Sequence, residues 1–201
     1  MADDLPVIFD APDHTLAKHK LYRRYIEAWL PILLRGGFPR VVIVDGFAGA
    51  GEYTKGEEGS PQVAIRAILE HQQLEDLLRP GTDIRLEFIE ERKDRHDHLV
   101  GRLDAFPPRP GVRWHTRHGR FDVILGDMLD QMEAQGRKLP PLLAFIDPFG
   151  PTGYPMSFLR RIAAYNNAEL LINFAYGPLN RLWLSVDPAD YPERYDQIDE
   201  L

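Results

Sequence analysis

Four β-branched apolar residues in a row, Val41-Val42-Ile43-Val44, running into Asp45-Gly46-Phe47-Ala48-Gly49-Ala50-Gly51, constrain this chain more than any other stretch of it. Branched side chains favour extended backbone, and an unbroken apolar run suits a strand covered on both faces. The strand ends in an acid and enters a turn with glycines at 46, 49 and 51. Such glycines let the backbone adopt left-handed conformations and come close to a ligand. Open α/β sheets present their ligands in this way, at the carboxyl ends of buried strands.

The rest of the chain alternates strands with helices. Residues 1–12 read as an irregular lead-in, and Asp13 or Thr15 can cap a helix over 13–35 that carries Leu21, Tyr25 and Trp29, with Tyr22, Ile26 and Leu30 beside them. Pro31 is expected to bend this helix and Gly36-Gly37 to stop it. After the first strand at 41–45 and a polar loop from Glu52 to Gly59, Ser60-Pro61 starts a helix predicted to continue to about Arg79. Ile84–Glu90 alternates as a second strand, followed by a charged helix from about Asp94 to Ala105. Val112–Arg117 is a weaker third strand, and Phe121, Ile124, Leu125, Met128 and Met132 mark a helix. Leu142–Asp147 is a fourth, buried strand; a helix around 156–165 leads to a fifth, Glu169–Phe174. This pattern predicts a mostly parallel, Rossmann-like sheet with helices on both faces, in one domain spanning 1–201 with an α/β core over 41–201. No sixth strand follows Phe174, so either the sheet is short or the chain is part of a longer protein.

Composition excludes several classes. The chain has no cysteine, so disulfides and thiolate metal sites are ruled out. It has no apolar run of the ~20 residues a membrane-spanning helix requires. Its acidic start, Met1-Ala2-Asp3-Asp4, lacks the order of a signal peptide, so a cytoplasmic protein without membrane partners is expected. The net charge of −7 does not advertise nucleic-acid binding. Basic residues do cluster locally, at Lys18, Lys20, Arg23 and Arg24, at Arg109, Arg113, Arg117 and Arg120, and at Arg160 and Arg161; for any one cluster the plain reading is a solvated helix face or loop edge, whereas several on one face would make a phosphate-contacting patch.

Three nucleotide-site patterns compete for the glycine turn. A phosphate-binding P-loop needs Gly-Lys-Ser/Thr five residues after its first glycine, where this chain has Gly51-Glu52-Tyr53. The dinucleotide fingerprint would place Thr54 at its third glycine, and the acid near the required spacing, Glu70, falls within a predicted helix. The third pattern is that of S-adenosylmethionine (SAM): an acid ending strand one, a D-x-F-x-G-x-G turn under the methionine portion, and an acid ending strand two on the ribose hydroxyls. Asp45, Gly46, Phe47, Gly49 and Gly51 match the turn, and Glu90 supplies the second acid. The plain alternative is a tight strand-to-helix turn; strand-terminal acids at 45, 90 and 147 favour the cofactor.

In combination, several pieces resemble the three-Cys-motif partner protein family over nearly the whole chain. They are His14-Thr15 with Lys18, the helix through Tyr25 and Trp29, Asp45–Gly51, Gly59-Ser60-Pro61, Phe88-Ile89-Glu90, Ile146-Asp147-Pro148-Phe149-Gly150 and Leu171-Ile172-Asn173-Phe174. The resemblance implies a class I methyltransferase-like fold, SAM as cofactor and association with a separate cysteine-motif protein. A more distant similarity is to ribosomal-RNA adenine-N6 methyltransferases, which share the glycine turn, a following Gly-Ser-Pro and a strand-four Ile-Asp-Pro-Pro-Tyr. It implies N-methylation of an exocyclic amine of a nucleic acid; the alternative is a non-catalytic partner subunit.

Where those enzymes carry Asp-Pro-Pro-Tyr, this chain has Asp147-Pro148-Phe149-Gly150. In the motif a carboxylate and a backbone carbonyl accept the amine's hydrogens and the aromatic ring stacks on the base, which is positioning in a dry site. Asp147, Pro148 and Phe149 are therefore the candidate catalytic residues. The second proline is missing and the aromatic residue comes one position early, so the loop need not follow the same path. Phe121 can pack on adenine or serve as the first core residue of its helix. Asp122 stands two residues late for an acid on the adenine amine, and Lys18 and His19 border the site if the first helix does. His96 and His98 are two apart on a helix and cannot share a metal.

Overall fold

The computed structural model describes residues 6–11, 13–148 and 154–173. Five strands, β1 (Arg40–Asp45), β2 (Asp83–Glu90), β3 (Val112–His118), β4 (Leu142–Ile146) and β5 (Ala168–Ile172), form one sheet in the order β3-β2-β1-β4-β5. Every neighbouring pair is parallel, with Asp45 level with both Phe88 and Phe145. The chain winds outward from the central β1 to β3, then returns to β4 on the other side. The order thus reverses between β1 and β4, and in a Rossmann-like sheet the crevice at that reversal is where ligands sit.

Helices pack on both faces, and each layer has its own core. On one face α1 (Asp13–Arg35), α2 (Ser60–Leu69), α3 (Leu74–Leu77) and α4 (Lys93–Leu103) pack through Tyr22, Ile26, Leu30, Ile65, Ile68 and Leu99 onto Ile43, Leu86, Phe88 and Phe145. Tyr22, Ile26 and Leu30 recur at the spacing that stacks side chains along one helix face, and the Tyr22 ring lies stacked on Phe145 with centroids 4.2 Å apart. On the other face α5 (Phe121–Ala134) and α6 (Met156–Ala163) bury Phe121, Leu125, Leu129 and Ile162 against Val44, Ile89 and Ile146. None of the helices described is long and apolar enough to cross a membrane.

The helix predicted from Ser60 to Arg79 is interrupted. α2 stops at Leu69, and only the single turn α3 follows. The reason lies in α1, which runs on through Pro31. Proline has no N–H for the carbonyl four residues back, which is that of Glu27; His71 Nε2 hydrogen-bonds to this oxygen at 3.0 Å instead. His71 Nδ1 accepts from the Gln73 N–H at 3.1 Å. The residue that satisfies α1 at its proline is therefore drawn out of α2, a long-range demand that periodicity does not reveal. The predicted end of the fifth strand, Phe174, lies outside the described residues.

Candidate functional site

The glycine turn continues directly from β1 and is fastened to both neighbouring strands. Gly46 N donates to the Phe145 carbonyl at 3.0 Å and Ala48 N to that of Ile89 at 2.9 Å. Gly46 is required by packing: a Cβ there would lie 2.6 Å from the Phe121 ring. Gly49 and Gly51 take φ of 65° and 86°, which side-chain-bearing residues rarely adopt. Gly51 and Gly59 form the throat of the loop; Gly59 N donates to the Gly51 carbonyl at 2.5 Å, and a Cβ on Gly59 would lie 2.6 Å from that oxygen. A Cβ on Gly49 would meet nothing within 4 Å, so this glycine faces open space.

Asp45 is fully buried beneath the turn. One carboxylate oxygen accepts the Phe47 N–H at 3.2 Å, while Oδ2 has no hydrogen-bond partner among the described residues. Burial pushes its carboxyl up to about 7, against the Ser60 hydroxyl and the Phe47 N–H, with the charges of Asp147 and Glu90 adding to the rise. Glu90, at the end of β2, uses one oxygen for the Gly49 N–H and the other for the Arg92 N–H, both at 2.8 Å. Each oxygen keeps a further lone pair for a ligand. Phe47 sits against Phe121 and Tyr154 at centroid distances of 5.8 and 6.5 Å. Phe121 itself is 2% exposed, with Phe158 edge-on to its other side at 5.4 Å.

At the end of β4 the arrangement is different. Asp147 receives Lys18 Nζ on both oxygens, at 2.8 and 2.6 Å, and Asn173 Nδ2 on one of them at 2.7 Å. α1, β4 and the residue after β5 thus meet on one carboxylate. Pro148 is buried, and Phe149 lies outside the described residues. His19, 6% exposed, neighbours this group: burial pushes its imidazole down to about 4, Asp147 pulls it upward and Lys18 drives it lower. The His19 ring lies 6.0 Å from that of Tyr53, whose phenol burial raises to about 12 with help from Asp147 and Asp45.

The site therefore brings Asp45, Gly46, Phe47, Gly49, Gly51, Glu90 and Asp147 to one end of the sheet, joined by Lys18 and His19 from α1. Asp122 instead accepts from its neighbour Arg120 at 3.0 and 2.8 Å. Asn173 and Tyr53 were missed. Asn173 carries a faint signal, a polar residue where an apolar strand ends; Tyr53, in a polar loop, carries none. No group of three or more potential metal ligands occurs among the described residues.

No protein-family model matches this chain, and no curated protein sequence matches it.

Proposed function

We propose that this chain is a SAM-dependent methyltransferase of the class I type, acting on an exocyclic amine of a nucleic acid and related to the three-Cys-motif partner proteins. The observation that carries this reading is the convergence of Asp45, the left-handed Gly49 and Gly51, Glu90 and Asp147 at the reversal point of a β3-β2-β1-β4-β5 parallel sheet. The residues fit the cofactor: Asp45 has a buried oxygen without a partner among the described residues, and the surface at Gly49 is open. Glu90 would hold the ribose diol, the Gly46–Gly51 backbone would pass under the methionine portion, and Asp45 would accept from its ammonium. SAM supplies an electrophilic methyl group on a sulfonium. Asp147 would accept the hydrogens of the target amine and aim its lone pair; the gain is in orientation and exclusion of water.

The Lys18–Asp147 pair favours a second reading. A carboxylate already bound by an ammonium on both oxygens is poorly placed to take an amine, which suits a methyltransferase-like partner subunit whose chemistry lies in an associated cysteine-motif protein. Calorimetry with SAM and with its demethylated product, S-adenosylhomocysteine, tests the shared premise. Binding by the intact protein, abolished in Gly49→Arg and weakened roughly tenfold or more in Glu90→Ala, is expected from the loss of space and of a charged hydrogen-bond acceptor. No binding by the wild type, or equal binding by both folded variants, rejects the cofactor. Methyl transfer to nucleic acid then separates the enzyme from the partner subunit.

A further inference from the structure

The arginines scattered through the sequence meet on the β2–β3 end of the face that carries α5 and α6, a part of the sheet that none of the described helices covers. Beyond the reach of α5, Asp83, Arg85 and Glu87 of β2 stand on the same side as Arg113, His115 and Arg117 of β3, because alternate residues share a face. Asp83 accepts from three guanidiniums: Arg40 at 3.0 Å, Arg85 at 2.9 Å, and Arg113 through two nitrogens at 3.1 and 2.5 Å. Glu87 accepts from Arg117 at 2.9 Å and lies 3.2 Å from His115 Nδ1. The two carboxylates are buried, while the arginine side chains remain 37–54% exposed.

Four guanidiniums share two carboxylates, so this face carries a surplus of two positive charges on a chain whose net charge is −7. Burying an acid under three arginines fixes their planes while their remaining N–H groups face outward, a preorganised array for oxyanions. The two clusters are four residues apart along the strands, roughly 13 Å at ~3.3 Å per residue. One phosphate can serve only one of them; a repeated anion is needed for both. Beside Arg113 and His115, along the edge of β3 with which no described strand pairs, runs an open groove of about 720 Å³ lined also by Pro108, Arg109 and Trp114, which gives sugars and bases room.

We infer that this β2–β3 face holds the phosphate backbone of a single nucleic-acid strand through Arg40, Arg85, Arg113 and Arg117. The inference deepens the proposed nucleic-acid substrate and rests on that reading for its biological sense, but binding by this face is measured without SAM.

The test is fluorescence anisotropy with a labelled single-stranded RNA of about 20 nucleotides, and DNA of the same sequence, across a salt series. The length is chosen to exceed the ~4–16-nucleotide footprint typical of one strand-binding domain. Removing one phosphate contact should lower the log–log salt slope by about 0.7 and weaken binding roughly fourfold near 0.15 M salt. Arg113→Ala and Arg117→Ala should each show this, with S-adenosylhomocysteine binding unchanged in calorimetry. Asp83→Asn, which removes a compensating negative charge, should tighten binding if circular dichroism shows it folded. Arg24→Ala, on the outward side of α1, should change nothing. No oligonucleotide binding by the wild type at low salt, an unchanged slope in the Arg113→Ala/Arg117→Ala double variant, or an equal loss in Arg24→Ala overturns the assignment. If the oligonucleotide binds as expected and S-adenosylhomocysteine does not, the methyltransferase reading falls while this surface stands.

Discussion

The two halves of the candidate site lie at the same end of one sheet and are built by opposite means. The turn after β1 is shaped by backbone and by absent side chains: Gly46 yields to the Phe121 ring, and Gly59 presses on the Gly51 carbonyl. The end of β4 is shaped by charged and polar side chains from distant parts of the chain, with Lys18 and Asn173 closing on Asp147. The first half is fixed in shape, because close-packed backbone has nowhere to go. The second can be rebuilt by moving one lysine.

The sharpest way to break this contrast is to crowd the backbone half. Gly59→Val should cost about 3 kcal/mol or more in urea denaturation, because overpacking against backbone is relieved only by moving the loop. Retained stability would mean that the throat between Gly51 and Gly59 is wider than the 2.5 Å contact requires. A smaller effect is expected from the side-chain half. Lys18→Met should lower stability by about 1–2 kcal/mol, since a partly exposed charged hydrogen bond is lost, and should leave S-adenosylhomocysteine affinity unchanged. A large fall in that affinity would show that the two halves are one unit.

The pH dependence is subtler, because two buried groups oppose each other. Asp45 rises from the ordinary carboxylate range to about 7, so the folded protein binds the extra proton and stability falls as pH climbs from about 4 to about 7. His19 drops from 6.5 to about 4, so the unfolded chain binds the extra proton and stability rises between about pH 4 and 6.5. The two slopes, each at most ~1.4 kcal/mol per pH unit, offset one another over most of this range. Asp45→Asn should therefore uncover a stability that rises with pH from 4 to 6.5, and His19→Gln one that falls from 4 to 7. Thermal melts across this range check both, and parallel profiles in the two variants would contradict the burial of one or the other. Gly49→Arg, like Lys18→Met, should cost only about 1–2 kcal/mol of stability, here for its left-handed backbone, since the added Cβ meets nothing.

Much of the fold was legible. The apolar strands Val41–Val44 and Leu142–Ile146, the Ser60-Pro61 helix start and the alternation of strand and helix announced a parallel α/β sheet, because burial on both faces leaves a local signature. All five predicted strands are found. The interrupted helix after Ser60 was not legible, because Pro31 and His71 meet only after α1 folds against α2. Of the site, the glycine turn and the strand-terminal acids could be read directly. Asn173 and Tyr53 could not, and neither could the partner of Asp147.

By itself, then, the sequence determined the elements whose cause is local: a buried strand, a turn that only glycines can make, acids where strands end. Tertiary structure alone decided which charges meet. Lys18 reaches Asp147 across 129 positions of chain, and Arg113 joins Arg40 and Arg85 on Asp83 because parallel strands align. A backbone conformation is written in the few residues that adopt it, whereas an ion pair depends on the register of a sheet and the placement of a helix, which the whole core sets.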